Sequence, residues 1–165
     1  MLIIKLIYHI NAAIAKLFYK IVYGSGVTFG KRVTWRKHLS LMIAKGAKLT
    51  VGDRCFFNNY CSVNVNNRIT IGKNCMFGEN VKIYDHNHRF SSADKPFNDQ
   101  GFSNGEVHIG ENCWIGSNVV ILKGTVIGKN CVIGAGAVIK GTVPDNTVVK
   151  PTGEYVFEKI RVKGE

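Results

Sequence analysis

Acidic residues are scarce in this chain: 11 Asp and Glu stand against 22 Lys and Arg over 165 residues, a formal charge of +11. The imbalance biases the protein toward anionic partners such as phosphates, acidic glycans or anionic lipid. Motifs that read nucleic acid are missing. There is no helix-turn-helix, no zinc-finger spacing and no aromatic RNP pattern, so nucleic acid is not expected as a partner. No two cysteines have C-x-x-C spacing, and the five (Cys55, Cys61, Cys75, Cys113, Cys131) are an odd number, so a complete disulfide framework is excluded. They read as small core residues of a reduced, cytoplasmic protein. The apolar N-terminus is not followed by the small-residue cleavage site of a secretory signal. The length suits one domain.

What the chain has instead is a count of six. From residue 107 an isoleucine recurs at every sixth position: Ile109, Ile115, Ile121, Ile127, Ile133 and Ile139. Two residues before each stands an apolar or small partner, from Val107 to Ala137, and glycine follows four of them. An i, i+2 pair is strand alternation, and the glycine permits a corner. Upstream the pairing continues from Val81/Ile83 back to Leu41/Ile43, with eight-residue steps where a corner carries two extra residues. One hexad cannot bury its own apolar pair, so the repeats must stack. Three hexads per coil make 18 residues, and residues 18 apart then share a position one coil on.

This pattern resembles the hexapeptide-repeat acyltransferases over residues 27–150. The resemblance implies an all-β fold, a left-handed parallel β-helix, carrying here an N-terminal α-helix and a protruding loop. The expected organisation is an amphipathic helix over 1–23, a β-helix over 24–150 with a loop at about 84–106, and a tail over 151–165. The resemblance also implies a homotrimer with active sites between subunits, acetyl-CoA as co-substrate and no required metal.

The repeat breaks at YDHNHRF, where 20 residues are inserted on the edge shared by Tyr84, Leu122 and Lys140. Loops of such length are functional or disordered. Members of the resembling family carry a catalytic histidine near the start of this loop, and Asn87-His88-Arg89 matches its context, so His88 is the expected general base and His86 the second choice. An imidazole within reach of a sugar hydroxyl takes its proton as the oxygen attacks a thioester. A fixed backbone N–H can stabilise the oxyanion. Two solvated histidines would be the plainer reading of a lone H-x-H. A cysteine nucleophile conflicts with the inward cysteine positions.

By the same resemblance the W-I-G-S-N and G-A-G stretches line the cofactor groove, through Trp114, Gly116, Ser117 and Ala135, with Lys140 and Lys150 toward the CoA phosphates. Trp114 precedes an inward isoleucine and so points outward. Asn58 and Asn66, with Tyr84 and Asp85 at the loop root, are the expected acceptor contacts. Corner asparagines that tolerate the left-handed conformation are the competing explanation for Asn58, Asn59, Asn66 and Asn67.

In the first 23 residues, Lys5, His9, Lys16 and Lys20 fall on one face of a helical pattern that is otherwise apolar. Three lysines argue against a membrane span. A helix capping the open coil end and a helix lying in a membrane interface both fit. The reading is therefore an acetyl-CoA-dependent O-acetyltransferase acting on a saccharide, lipid-linked in one version, in bacterial surface-polysaccharide synthesis, cytoplasmic or peripheral at the inner face of the membrane. A xenobiotic O-acetyltransferase, an amino-sugar N-acetyltransferase, a metal-dependent hydratase and a non-catalytic β-helical scaffold are the alternatives.

Overall fold

The computed structural model of the protein describes residues 2–151 and residue 153. The tail expected over 151–165 falls, except for residues 151 and 153, outside the described residues. Helix α1 (Leu2–Tyr23) leads into the strands. Nine of these precede the insertion: β1 (Val27–Phe29), β2 (Thr34–Trp35), β3 (Ser40–Ile43), β4 (Lys48–Val51), β5 (Phe56–Phe57), β6 (Ser62–Val65), β7 (Arg68–Ile71), β8 (Met76–Phe77) and β9 (Lys82–Tyr84). The insertion holds β10 (His86–His88) and β11 (Phe102–Asn104). The stack resumes with β12 (Glu106–Ile109), β13 (Trp114–Ile115), β14 (Val120–Ile121), β15 (Val126–Ile127), β16 (Val132–Ile133), β17 (Val138–Ile139), β18 (Thr142–Val143) and β19 (Val148–Val149).

Every third strand of the stack pairs in parallel, which makes three flat faces of a left-handed β-helix. The first face is β1, β4, β7, β12, β15 and β18; the second is β2, β5, β8, β13, β16 and β19; the third is β3, β6, β9, β14 and β17. The coil is not uniform. On the first face Val27 pairs with Leu49, Leu49 with Ile69, Ile69 with Val107, His108 with Val126 and Val126 with Thr142, steps of 22, 20, 38, 18 and 16 residues. The step of 38 is one 18-residue coil plus the 20 inserted residues. The 18-residue rule thus holds only in the middle, and extra corner residues widen the early coils.

The inward residues are those the count of six marks: Ile109, Ile115, Ile121, Ile127 and Ile133 have no exposed surface. Each such side chain contributes roughly 1.5–3 kcal/mol by leaving water. Phe57 and Phe77 add a ring stack at 4.4 Å. Glycine at a corner is a steric demand of the stacking: a Cβ on Gly116 would lie 2.6 Å from the backbone nitrogen of Ala135 in the next coil. Left-handed φ values are taken at corners by Asn74, Asn80, Asn112, Asn118, Asn130 and Asn146. Several of these form amide ladders along the stack, with Asn112 Nδ2 donating to Asn130 Oδ1 and Asn130 Nδ2 to Asn146 Oδ1, both at 2.9 Å.

Helix α1 closes the open end of the first coil. Ala12 is fully buried there, and Ala15, Tyr19 and Tyr23 pack on the same core. The first coil has no coil before it, so its carbonyls need other donors. Tyr19 Oη donates to Leu39 O at 2.7 Å, Tyr23 Oη to Leu41 O at 2.9 Å and Lys20 Nζ to Val27 O at 3.3 Å. Burial against the coil pushes the Tyr19 phenol up and draws the Lys16 ammonium down from their ordinary values. Capping by α1, one of the two roles its sequence allowed, is therefore built into the fold.

Candidate active site

The insertion leaves the stack after β9, at the corner between the third and first faces. It is an ordered hairpin where the sequence read as a polar loop: β10 and β11 pair antiparallel, with His86 opposite Asn104 and His88 opposite Phe102. Its base is clamped, since Gly105 N donates to Asp85 O at 2.6 Å and Asn67 Nδ2 to Gly105 O at 2.9 Å. Lys123, from the next coil, donates through Nζ to Ser103 O at 3.2 Å and to Ser103 Oγ. Gln100 ties the hairpin tip through Ser92 and Lys95. Such anchoring makes the hairpin a fixed wall of the site.

Residues two apart on a strand share a face, so His86 and His88 project together. They line a cavity of about 360 Å³ with Asn64, Asn66, Phe102 and, from the capped end, Tyr23 and Met42. Phe102 braces both rings, its centroid 5.1 Å from His86 and 4.6 Å from His88. The two imidazoles differ in setting. His88 is exposed, with no side-chain hydrogen bond among the described residues. His86 Nδ1 lies 2.9 Å from Asp85 Oδ1, and only 16% of its side chain is exposed. A carboxylate only accepts, so Nδ1 donates the hydrogen of this bond, and in the neutral ring Nε2 keeps its lone pair.

Asp85 was expected to touch an acceptor, and the structure places it elsewhere. It has no exposed surface, and its oxygens accept from Asn66 N and Asn67 N, each at 2.8 Å, as well as from His86. Its work is to join the loop root to the previous coil and to hold His86. Tyr84 stays half-buried at the root, its ring 6.5 Å from His86.

The other expected contacts fall on two different corners. Asn66 and Lys140 share the histidine corner: Asn66 follows Asn64, which lies opposite Tyr84 and two coils before Leu122, and Lys140 lies directly beyond Leu122. Asn58 belongs to the corner between the second and third faces, where Asn58, Gly78, Gly116, Gly134 and Lys150 follow one another up the stack. Ser117 and Ala135 stand on that edge as well, and Trp114 lies exposed on the adjoining second face. The edge is nearly free of side chains around Gly116 and Gly134 because stacking requires glycine there. Lys150, exposed, stands at the end of this edge. Asn58, Asn59, Asn66 and Asn67 are not among the left-handed corner residues, so that explanation does not cover them.

Sequence reasoning missed Asn64, Met42, Phe102 and Tyr23. Asn64 was findable, since it sits outward on β6 opposite Tyr84 in the register. Nothing in the sequence pointed to Tyr23, which arrives from α1 only once the helix folds over the coil. All five cysteines are free and buried; burial pushes the Cys61 and Cys131 thiols up, while hydrogen bonding with Cys75 draws those of Cys55 and Cys113 down, so it is their inaccessibility that opposes a nucleophilic role. Among the described residues no three His, Cys, Asp or Glu side chains converge as a metal site.

Comparison with known proteins agrees with this architecture. Residues 106–141 match the model of the bacterial transferase hexapeptide (six repeats), and residues 68–83 that of the hexapeptide repeat of succinyl-transferase. A lipopolysaccharide biosynthesis O-acetyl transferase by name, WbbJ of Escherichia coli K12, is 27% identical over 81% of this chain and 71% of its own length. A hexapeptide-repeat acetyltransferase of Vibrio cholerae, solved with acetyl coenzyme A, superposes with a TM-score of 0.67 at 23% identity, over 82% of this chain and 70% of that one. A galactoside acetyltransferase solved with coenzyme A gives 0.63 at 22% identity, over 90% and 77%. With matched repeats, the same coil and neighbours of the same fold, this chain is a hexapeptide-repeat protein similar to the hexapeptide-repeat acyltransferases.

Proposed function

We propose that the protein is an acetyl-CoA-dependent O-acetyltransferase that acts on a saccharide hydroxyl in the synthesis of a bacterial surface polysaccharide. The observation that carries the reading is the cavity at the hairpin root, where two histidines face two outward asparagine positions, Asn64 and Asn66. Amide side chains donate to and accept from sugar hydroxyls, and a neighbouring imidazole can take a hydroxyl proton. Acetyl-CoA would supply the activated acetyl thioester. The bare edge through Gly116, Ser117 and Ala135, flanked by Trp114 and Lys150, would hold its arm, with Lys140 near the histidine corner.

His88 acts as the base in this proposal, because it is exposed and its ring nitrogens have no side-chain partner among the described residues. The Asp85–His86 bond supports a second reading in which His86 Nε2 takes the proton, as a carboxylate-held imidazole is correctly oriented for it. The two ligand edges lie on different corners of one subunit, and a homotrimer with sites between subunits would bring a bare edge to a neighbour's histidines. Names of similar proteins support the substrate class: one belongs to lipopolysaccharide biosynthesis and another to galactoside acetylation. Among the described residues no helix is long and apolar enough to cross a membrane. The proposed location is the cytoplasm, with peripheral contact at the inner membrane face through residues 1–23.

The test is a calorimetric titration with acetyl-CoA followed by a screen of saccharides for release of the CoA thiol. Micromolar binding near one per subunit and release dependent on one saccharide class are expected. Absence of binding by a folded protein would leave the scaffold alternative.

A further inference from the structure

Helix α1 hides only part of its surface. Ala12, Ala15, Tyr19 and Tyr23 face the coil, while Ile7, Ile10, Ile14, Leu17, Phe18 and Ile21 are between 49% and 74% exposed. Such a continuous apolar strip on a monomer marks a contact with something else.

The charge around it is one-sided. Residues 1–52 contain nine Lys and Arg and no Asp or Glu, whereas the remaining 13 cations share residues 53–165 with all 11 acids. The fold places these cations in a ring. Each corner of the first coil carries exposed ones: Lys31 and Arg32 after β1, Arg36 and Lys37 after β2, and Lys45 after β3. The Lys–carboxylate and Arg–carboxylate pairs among the described residues, Arg68–Glu106, Lys73–Glu111 and Lys129–Asp145, all lie in later coils.

We infer that the helix-capped end of the coil is a docking face for an anionic lipid bilayer, with the strip of α1 entering the interface and the first-coil cations resting on the headgroups. An apolar strip beside a polybasic rim is what such a surface binds. A second copy docked through the same face would bring two purely cationic rings together, which opposes that occupant. In a cyclic assembly whose axis runs parallel to the coil every subunit's cap faces the same way at one height, so several caps would meet one flat surface at once and gain avidity. The histidine hairpin springs from β9, two rungs beyond β3, so its root is about 10 Å from the docking face at the usual strand spacing. Tyr23 and Met42 extend the cavity lining to the capped end itself.

The experiment is co-sedimentation of the full chain with vesicles of phosphatidylcholine alone and with vesicles that also contain phosphatidylglycerol, at low and high salt. Binding to the anionic vesicles only, weakened by salt, is expected. Replacing Lys31, Arg32, Arg36 and Lys37 by Gln should reduce the vesicle affinity roughly five-fold per cation removed. Combining Ile14→Glu, Leu17→Glu and Ile21→Glu should abolish binding; these side chains are exposed, and unchanged acetyl-CoA affinity or thermal midpoint would show that the variant folds. The inference is overturned if the wild type ignores anionic vesicles, or if both variants bind like it. It is equally overturned if sedimentation velocity shows the wild type in a larger assembly that the triple Glu variant dissolves, because further copies would then cover the face.

Discussion

Replacing His88 by Ala tests the proposed chemistry at little cost to the fold. The imidazole is exposed, and its contact with Phe102, at 4.6 Å between ring centres, is its one aromatic packing among the described residues. An exposed aromatic contact of that kind is worth about 1 kcal/mol. Losing a general base costs roughly 100- to 10,000-fold in rate, or about 2.7–5.5 kcal/mol of barrier. The expected result is a collapse of kcat, a thermal midpoint near that of the wild type, and an acetyl-CoA affinity that is almost unchanged. Release of the CoA thiol with an active saccharide gives the rate, and calorimetry gives the affinity. Retention of wild-type turnover would refute His88 as the base. His86→Ala, run alongside, then decides whether the Asp85-held ring does the work, since only one of the two variants should lose turnover by that factor while the other keeps most of it.

Three further outcomes follow from the same geometry. Asp85→Asn sets an amide N–H against one of the Asn66 and Asn67 backbone donors, so chemical denaturation should show a loss of about 1–3 kcal/mol. Equal stability would mean that the buried carboxylate does not fasten the loop root. Gly116→Ala brings a methyl to 2.6 Å from Ala135 N, and the calorimetric midpoint should fall with acetyl-CoA binding weakened at that edge. A variant as stable as the wild type would show that the corner relaxes freely. Ile121→Ala removes a fully buried side chain from the middle of the stack and should cost about 2–5 kcal/mol in urea unfolding; a loss near zero would contradict the stacked core.

The coil was legible because one physical rule governs each position. An inward residue must be apolar in every hexad, so Ile109 to Ile139 announce the stack with no knowledge of the fold. The insertion was legible as a break in that count, and its length of 20 residues reappears in the register between β7 and β12. Where the sequence reading fell short, the cause was a contact between distant segments. Asp85 looked like a ligand-facing carboxylate because nothing local shows that Asn66 and Asn67 would turn their N–H groups toward it. Asn58 looked like a neighbour of Asn66, but a strand and a change of face separate them. Tyr23 belongs to a helix whose own pattern says only that one side is apolar and one cationic.

The three side-chain bonds from α1 to the carbonyls of Leu39, Leu41 and Val27 have a consequence for assembly. A parallel coil is a template for the next coil, whoever supplies it, and its first rung would accept the last rung of another molecule. Tyr19, Lys20 and Tyr23 occupy that template. They hold the acceptors that an added strand would need, so the helix ends the stack at this edge.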